Sequence, residues 1–390
     1  MRPLPTKDGL RRVLASSTGP AALAAVLVLI LAPIASALPR VPLPGSGPTI
    51  THKIAVFAVD DRKVIPARDR RLRNHIGLLQ HKGTGSYCTA FCVAPNVIAT
   101  AGHCVLGTKA DRTPSAAQFR FRRDSARASW QAAGIAGWRT GTASLNVVTG
   151  AERLHTRPPI NASSDWALLR LESDACPAGG LPISPLNSAQ VEAQAAEGRV
   201  YQVAYHRDIR NWRLAAHRRC NILPDSPRSS KQQISADFED ADRLLLHMCD
   251  TEAASSGSPL LIDGPNGPEV VGINVGTYVR SRVITHDGEV VQRLSSETVA
   301  NTALLAAPVA QRLKVLLATT PAAGREDIEQ IQAGLARRGY FAGTLDGLYG
   351  PVTREAIVRF ERSAGRQPTG LATRELMQLL SAGEVSAATR

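Results

Sequence analysis

Short apolar or alternating runs recur from about Ile54 to Ala318, among them Val93 to Thr100, Trp166 to Leu171, Val200 to Tyr205, Leu244 to Met248 and Val270 to Val275. A period of two sets successive side chains on opposite faces of a strand. Gly, Pro, Asn and Asp separate these runs, so the stretch predicts an all-β barrel or sandwich rather than alternating βα units. A helix over Pro308 to Ala318 closes it, with proline tolerated in the first turn. Thr319 to Gly324 reads as a short linker, and beyond it the period changes. Ile328, Ile331 and Leu335, then Ala356, Ile357 and Phe360, then Leu376, Leu379 and Leu380 recur at helical spacing, which predicts three short amphipathic helices. Asp346-Gly347 marks a turn, and Pro351 stands where a helix can begin without losing a hydrogen bond.

The N-terminus decides the compartment. Arg2, Lys7, Arg11 and Arg12 precede an apolar run from Ala21 to Ala32, and Ala35-Ser36-Ala37 offers the small residues a signal peptidase accepts. Residues 1–37 therefore read as an export signal, and 38–55 as a Pro- and Gly-rich lead-in. The alternative is an uncleaved anchor, since Ala21 to Leu38 is just long enough to cross a bilayer. Both readings take the chain out of the cytoplasm, to a periplasmic, secreted or wall-associated location. There the six cysteines are expected as disulfides rather than free thiols.

Composition adds exclusions. With 44% apolar and 20% charged residues over 390 positions, the chain has enough core-forming residues for two ordinary domains. The net charge of +13 falls to +10 once the first 37 residues are set aside, and a basic surface alone specifies no partner. HExxH, a Walker loop, GxGxxG and paired CxxC motifs are all missing from the sequence. Nothing thus points to a metal or another cofactor, and nucleic acid is not expected as a partner of an exported chain.

The chemistry lies in the middle of the chain. Thr100-Ala101-Gly102-His103-Cys104 follows an apolar strand, Ser164-Asp165-Trp166 opens a second, and Ser256-Gly257-Ser258-Pro259 comes last. A serine hydroxyl is a poor nucleophile near neutrality; it needs an imidazole to take its proton and a carboxylate to fix that imidazole's tautomer. Ser256, His103 and Asp165 are the candidates for these roles. The remaining histidines read as surface or packing residues.

These motifs resemble the chymotrypsin-like serine peptidases, and Asp250-Thr251 with Ser256-Gly257-Ser258-Pro259 is most similar to their secreted bacterial branch near the glutamyl endopeptidases. The resemblance covers about residues 56–318 and includes Asp60-Asp61-Arg62 and Cys88-Thr89. It implies a mainly β fold of two six-stranded barrels, a chymotrypsin-like double β-barrel with the triad in its cleft. It also implies a disulfide between Cys88 and Cys104 and one between Cys220 and Cys249, with Cys92 and Cys176 left to pair or stay buried. The oxyanion hole falls to the backbone N–H groups of Ser256 and Ala254, where the family carries glycine; a positive φ there would strain alanine. Ser255 replaces the aspartate that pairs with a new N-terminus in trypsin-like zymogens, so other hydrogen bonds must hold that loop. By the same likeness Asp250, Thr251, Asn274 and Gly276 are candidate substrate contacts, with Asn274 where the glutamyl branch has a histidine. Asp250 then either faces a basic substrate side chain or turns away to cap backbone N–H groups of the serine loop, with glutamyl specificity disfavoured.

Residues 325–381 resemble the peptidoglycan-binding-like module through Ile331-Gln332, Gly339-Tyr340-Phe341, Asp346 to Pro351 and Thr353 to Ala356, departing at Glu361, where glutamine is usual. A tail, 382–390, follows. The resemblance implies attachment to peptidoglycan. The two modules together predict an exported serine endopeptidase acting on protein substrates near the wall. The competing expectation is a catalytically weak trypsin-like scaffold that serves as a wall-binding protein.

Overall fold

The computed structural model describes residues 55–385 apart from 58, 84, 107–118, 125–129, 140–141, 152, 223–230, 287–288 and 323. The expected signal and most of the lead-in lie outside the described residues. The chain enters through β1 (Lys63–Val64) and a single helical turn, α1 (Arg70–Arg73). A seven-stranded antiparallel sheet follows, built from β2 (Ile76–His81), β3 (Tyr87–Ala94), β4 (Val97–Thr100), β5 (Phe119–Asp124), β6 (Trp130–Gly134), β7 (Val147–Thr149) and β8 (Ala167–Arg170). Its order is β6-β5-β2-β3-β4-β8-β7. A bridge between Ile135 and Leu171 brings the end of β6 back to the end of β8 and curls the sheet.

After helix α2 (Ser188–Ala196) the second sheet is assembled from β9 (Tyr201–Ala204) and β10 (Ala215–His217), then, past α3 (Lys231–Asp237), from β11 (Leu244–His247), β12 (Pro259–Gly264), β13 (Gly267–His286) and β14 (Glu289–Leu305). With β1 added at the edge, its order is β1-β10-β9-β12-β13-β14-β11. Each sheet therefore has seven strands where the resemblance implied six, the second because β1 crosses over to pair with β10.

Period two explains why many of these strands are buried along their whole length. Leu79, Ala90, Cys92, Ile98, Phe121 and Leu169 fill the inside of the first curled sheet. Their neighbours Leu78, Phe91, Val97, Ala99 and Leu168 point the other way and pack with Tyr201, Val203, Leu261 and Ile273 of the second. Leu245, Leu260, Val271 and Ala303 fill the second sheet's own interior. Both faces of the central strands are thus apolar, one toward a barrel interior and one toward the seam between the sheets.

Helix α4 (Ala307–Ala318) ends the β region, and α5 (Arg325–Arg337), α6 (Pro351–Ser363) and α7 (Arg374–Val385) form the C-terminal module. The last helix runs past the expected boundary at 381. The expected linker is not a free one. Ala322 donates to Ala372 O at 2.9 Å, Pro321 bridges Thr373, and Ala322 is buried in the module core. All six cysteines are paired, as Cys88–Cys104, Cys92–Cys176 and Cys220–Cys249, which settles the pair left open by the sequence.

Candidate active site

Strand β4 is fully buried and delivers His103 on the one-turn helix Gly102–Cys104 that follows it. Glycine at 102 is a matter of space: a Cβ there would lie 3.0 Å from Asp165 Oδ1 and 3.1 Å from Trp166 N. Asp165 ends the helical turn Ala162–Ser164, just ahead of β8, which pairs with β4 through Thr100 and Ala167. Its two oxygens converge on one residue. Oδ1 accepts the backbone N–H of His103 and Oδ2 lies against His103 Nδ1, each at 2.7 Å. Asp165 thus fixes both the backbone and the ring of His103, and leaves Nε2 as the free face of the imidazole. Burial disfavours the charged ring, but the charge and hydrogen bond of Asp165 outweigh it and raise the His103 pKa above its ordinary value. The ring keeps 32% of its side-chain surface open to solvent.

Ser256 reaches this pair from the second sheet. Its carbonyl accepts the N–H of Thr89 at 2.9 Å, and Thr89 adjoins Cys88, whose disulfide partner Cys104 adjoins His103. Gly257 has φ +80°, and a Cβ on it would sit 2.1 Å from Thr100 Oγ1 and 2.7 Å from Ala101 N. The serine turn is therefore seated directly on the end of the histidine strand. Among the described residues no hydrogen bond joins Ser256 Oγ to His103; such bonds are commonly long without substrate and tighten in the productive complex.

The turn around Ser256 is held by four residues from other elements. Thr89 Oγ1 donates to Ala254 O at 2.7 Å, and the Arg207 N–H donates to Ala253 O at 2.8 Å. Asn274 Nδ2 donates to Ser255 O at 3.2 Å, and Gln202 Nε2 donates to Ser258 Oγ at 2.7 Å. Ala254 has φ +77° and is buried. Alanine in this left-handed region is strained by about 1–2 kcal/mol. Among the described residues neither the Ala254 N–H nor the Ser256 N–H meets an acceptor within the protein, which leaves both free for an oxyanion.

Two of the expected substrate contacts are engaged within the protein. Asp250 is 1% exposed, and its carboxylate accepts the N–H of Phe57 at 2.8 Å and of Asp61 at 3.2 Å, with His217 Nδ1 3.2 Å away. Burial would raise its pKa, but His217 and these backbone donors hold it below the ordinary carboxylate value. It does cap backbone N–H groups, though those of the entering segment rather than of the serine loop, and its oxygens do not await a substrate guanidinium. Asn274 is 2% exposed and acts as an internal strut: Oδ1 meets His247 Nε2 at 3.0 Å while Nδ2 holds Ser255. It does the work that Ser255 was expected to need. Thr251 is buried and donates its N–H to Ala55 O at 2.9 Å. Gly276 stays partly open, with only Thr302 Oγ1 near its Cβ direction, at 3.6 Å.

Of the histidines read as surface or packing residues, His206, His217 and His247 are buried. His247 is fully buried and its pKa is pushed down to about 3 by burial, and His206 is pushed down to about 3 chiefly by the same cause. His217 stands between Asp61 and Asp250. These three atoms could in principle share a cation. However, His217 Nδ1 already meets the Asp250 N–H at 3.0 Å, and each Asp250 oxygen already accepts a backbone N–H. No sequence signal marks these contacts, because their partners lie far apart along the chain.

Residues 88–273, which include His103, Asp165 and Ser256, match the family described as a Trypsin-like peptidase domain. Residues 324–380 match one described as a "Putative peptidoglycan binding domain". Among curated proteins no match is found. A solved structure titled "Structure of Glu endopeptidase in complex with MPD" is similar over 67% of this chain and 98% of its own, with 16% identity and a TM-score of 0.43. A likeness that distant leaves substrate preference to this chain's own residues. The chain carries a trypsin-like peptidase domain followed by a "Putative peptidoglycan binding domain".

Proposed function

We propose that the protein is an exported endopeptidase in which Ser256 is the nucleophile, His103 the general base and acid, and Asp165 the group that orients the imidazole. The observation that carries this reading is the double grip of Asp165 on His103, at 2.7 Å to the backbone and 2.7 Å to the ring. With Nδ1 committed to Asp165, Nε2 is the atom that takes the proton from Ser256 Oγ as that oxygen bonds to the scissile carbonyl carbon. The carbonyl oxygen becomes an oxyanion between the N–H groups of Ala254 and Ser256. Collapse of this intermediate expels the amine, which leaves with the proton held on Nε2. Water then repeats the sequence on the acyl-enzyme, with His103 again taking and returning the proton, and the acid product and free serine are regenerated.

The substrate is a protein, bound without an acid at the base of the primary pocket, because Asp250 is engaged by Phe57, Asp61 and His217. Residues 325–381 attach the enzyme to peptidoglycan, and three disulfides suit an oxidising compartment outside the cytoplasm. Turnover of a soluble peptide ester tests the assignment. Ser256→Ala and His103→Ala should each lose activity by about 10⁴-fold, and Asp165→Asn should retain a small residue of it. Full turnover by folded Ser256→Ala would remove the nucleophile assignment. The strained Ala254 favours a second reading, a scaffold of low turnover; stable capture of a phosphonate by Ser256 separates the two, since a scaffold without a working nucleophile forms no adduct.

A further inference from the structure

The C-terminal module and the peptidase share side chains. Leu145, on the one-turn helix Ala143–Asn146 just ahead of β7, is 1% exposed and buried among Ala322, Ile328, Ile331, Leu335 and Phe341 of the module. Leu371 of the module lies in turn in the peptidase cluster that holds Val309 and Leu316. Polar contacts lock the same seam. Arg354 Nη2 on α6 donates to Thr149 O at 3.0 Å, and Arg312 Nη1 on α4 donates to Pro368 O at 2.5 Å. Domains joined by a small polar interface move relative to one another, whereas exchanged core residues do not permit it.

The gripped segment borders Asp165. Thr149 pairs with Ala167, two residues after Asp165, and Gly150 donates its N–H to Trp166 O at 2.9 Å. The Cβ direction of Gly150 points 2.4 Å from Ser164 O and 2.4 Å from the Trp166 indole, so the chain at 149–150 forms one wall of the turn that carries Asp165. Leu145 and Arg354 hold this wall from the module side, and the two oxygens of Asp165 hold His103 from the other.

We infer that the C-terminal module is a working part of the peptidase: through Leu145 and the Arg354–Thr149 contact it positions Asp165 and thereby His103. Leu145 and Arg354 are positioning residues that touch no substrate. The inference rests on the triad reading, and it contrasts with a module that acts solely as a tether, whose loss would leave cleavage of soluble substrates intact.

The test uses the full chain with Arg354→Ala, Arg354→Lys and Leu145→Val. Two readouts are followed: kcat and KM on a soluble peptide ester, and the titration of His103 by NMR of its Cε1–H. Arg354→Ala is expected to lower kcat about tenfold with KM within about twofold, since small displacements of catalytic groups act on the chemical step. The His103 pKa should fall, because a looser Asp165 supports the imidazolium less, and the acid limb of kcat should move to lower pH. Arg354→Lys, which can still donate to Thr149 O, should recover part of both, and Leu145→Val should shift them in the Arg354→Ala direction to a lesser extent. Unchanged kcat and an unchanged His103 pKa in folded Arg354→Ala and Leu145→Val would overturn the inference. If the wild type itself has no turnover, the triad reading fails, while the His103 titration still decides whether the module reaches Asp165.

Discussion

Replacing Ala254 by glycine isolates the one strained residue of the nucleophile loop. At φ +77° alanine is less favourable than glycine by about 1–2 kcal/mol. Against this, glycine adds about 0.4–1 kcal/mol of conformational entropy to the unfolded chain. Loss of the buried methyl group removes roughly 0.8 kcal/mol more. The balance places Ala254→Gly between about 1 kcal/mol less and 1 kcal/mol more stable than the parent, a change in Tm of at most about 3 °C either way for a domain of this size. The carbonyl stays fixed by Thr89 Oγ1 and the N–H keeps its direction, so kcat should be equal or higher. A β-branched residue works the other way: Ala254→Val should lose about 2–3 kcal/mol and most of the activity. Denaturant unfolding, on a Ser256→Ala background to prevent self-cleavage, measures the first quantity, and initial rates on a soluble ester in the active background measure the second. A loss of more than about 1 kcal/mol in Ala254→Gly, or equal tolerance of valine, would refute the argument that the loop is strained at this φ.

Three further outcomes follow from the buried polar groups and the module. His247 stays neutral in the folded protein down to about pH 3 but takes a proton near its ordinary value of 6.5 when unfolded. The unfolded state therefore binds more protons between these values, and stability falls as pH drops through that window, by about 2 kcal/mol near pH 5; His247→Gln should flatten the profile measured by denaturant unfolding, and an unchanged slope would refute this. Asp250, with its pKa held below normal, contributes stability that is fully present above the ordinary carboxylate range and lost as pH falls through its folded value. Asp250→Ser should accordingly destabilise the entering segment at neutral pH without changing preference in a peptide library, and loss of a preference for Arg or Lys would restore the basic pocket. Sacculi should pull down full-length Ser256→Ala; retention in the supernatant, with a known wall binder pelleting, would count against wall attachment. An isolated fragment 325–390 is the wrong probe, because it would expose the core that Leu145 covers.

What was legible in the sequence is what is local. The change from period two to helical spacing near residue 320 marks the helices α5 to α7, and the order His103, Asp165, Ser256 is carried by short strings. Continuous apolar runs such as Val97–Thr100 mark strands with two buried faces, though not which sheet each face meets. The losses are all long-range. Asp250 finds Phe57 and Asp61 across separations of 193 and 189 residues, and no periodicity records such a meeting. The likeness puts Asn274 where the glutamyl branch has a histidine, yet in β13, next to the register shift between Asn274 and Gly276, its side chain meets His247 and Ser255. At Ala254 the sequence posed the question of a positive φ, which only the three-dimensional path of the loop could answer. Leu145 carries no mark at all: a leucine in a polar stretch announces burial against something, not against a module nearly 200 residues further on.

The central claim is that Ser256, activated by His103 and Asp165, is the nucleophile. Incubation of the full-length protein with an active-site-directed phosphonate, followed by mass spectrometry of the proteolytic peptides, tests it most directly. The account predicts one covalent adduct, on the peptide containing Ser256, formed in the parent protein, strongly slowed in His103→Ala and abolished in Ser256→Ala. An adduct that forms on another residue, or a folded parent protein that captures no phosphonate, would contradict it.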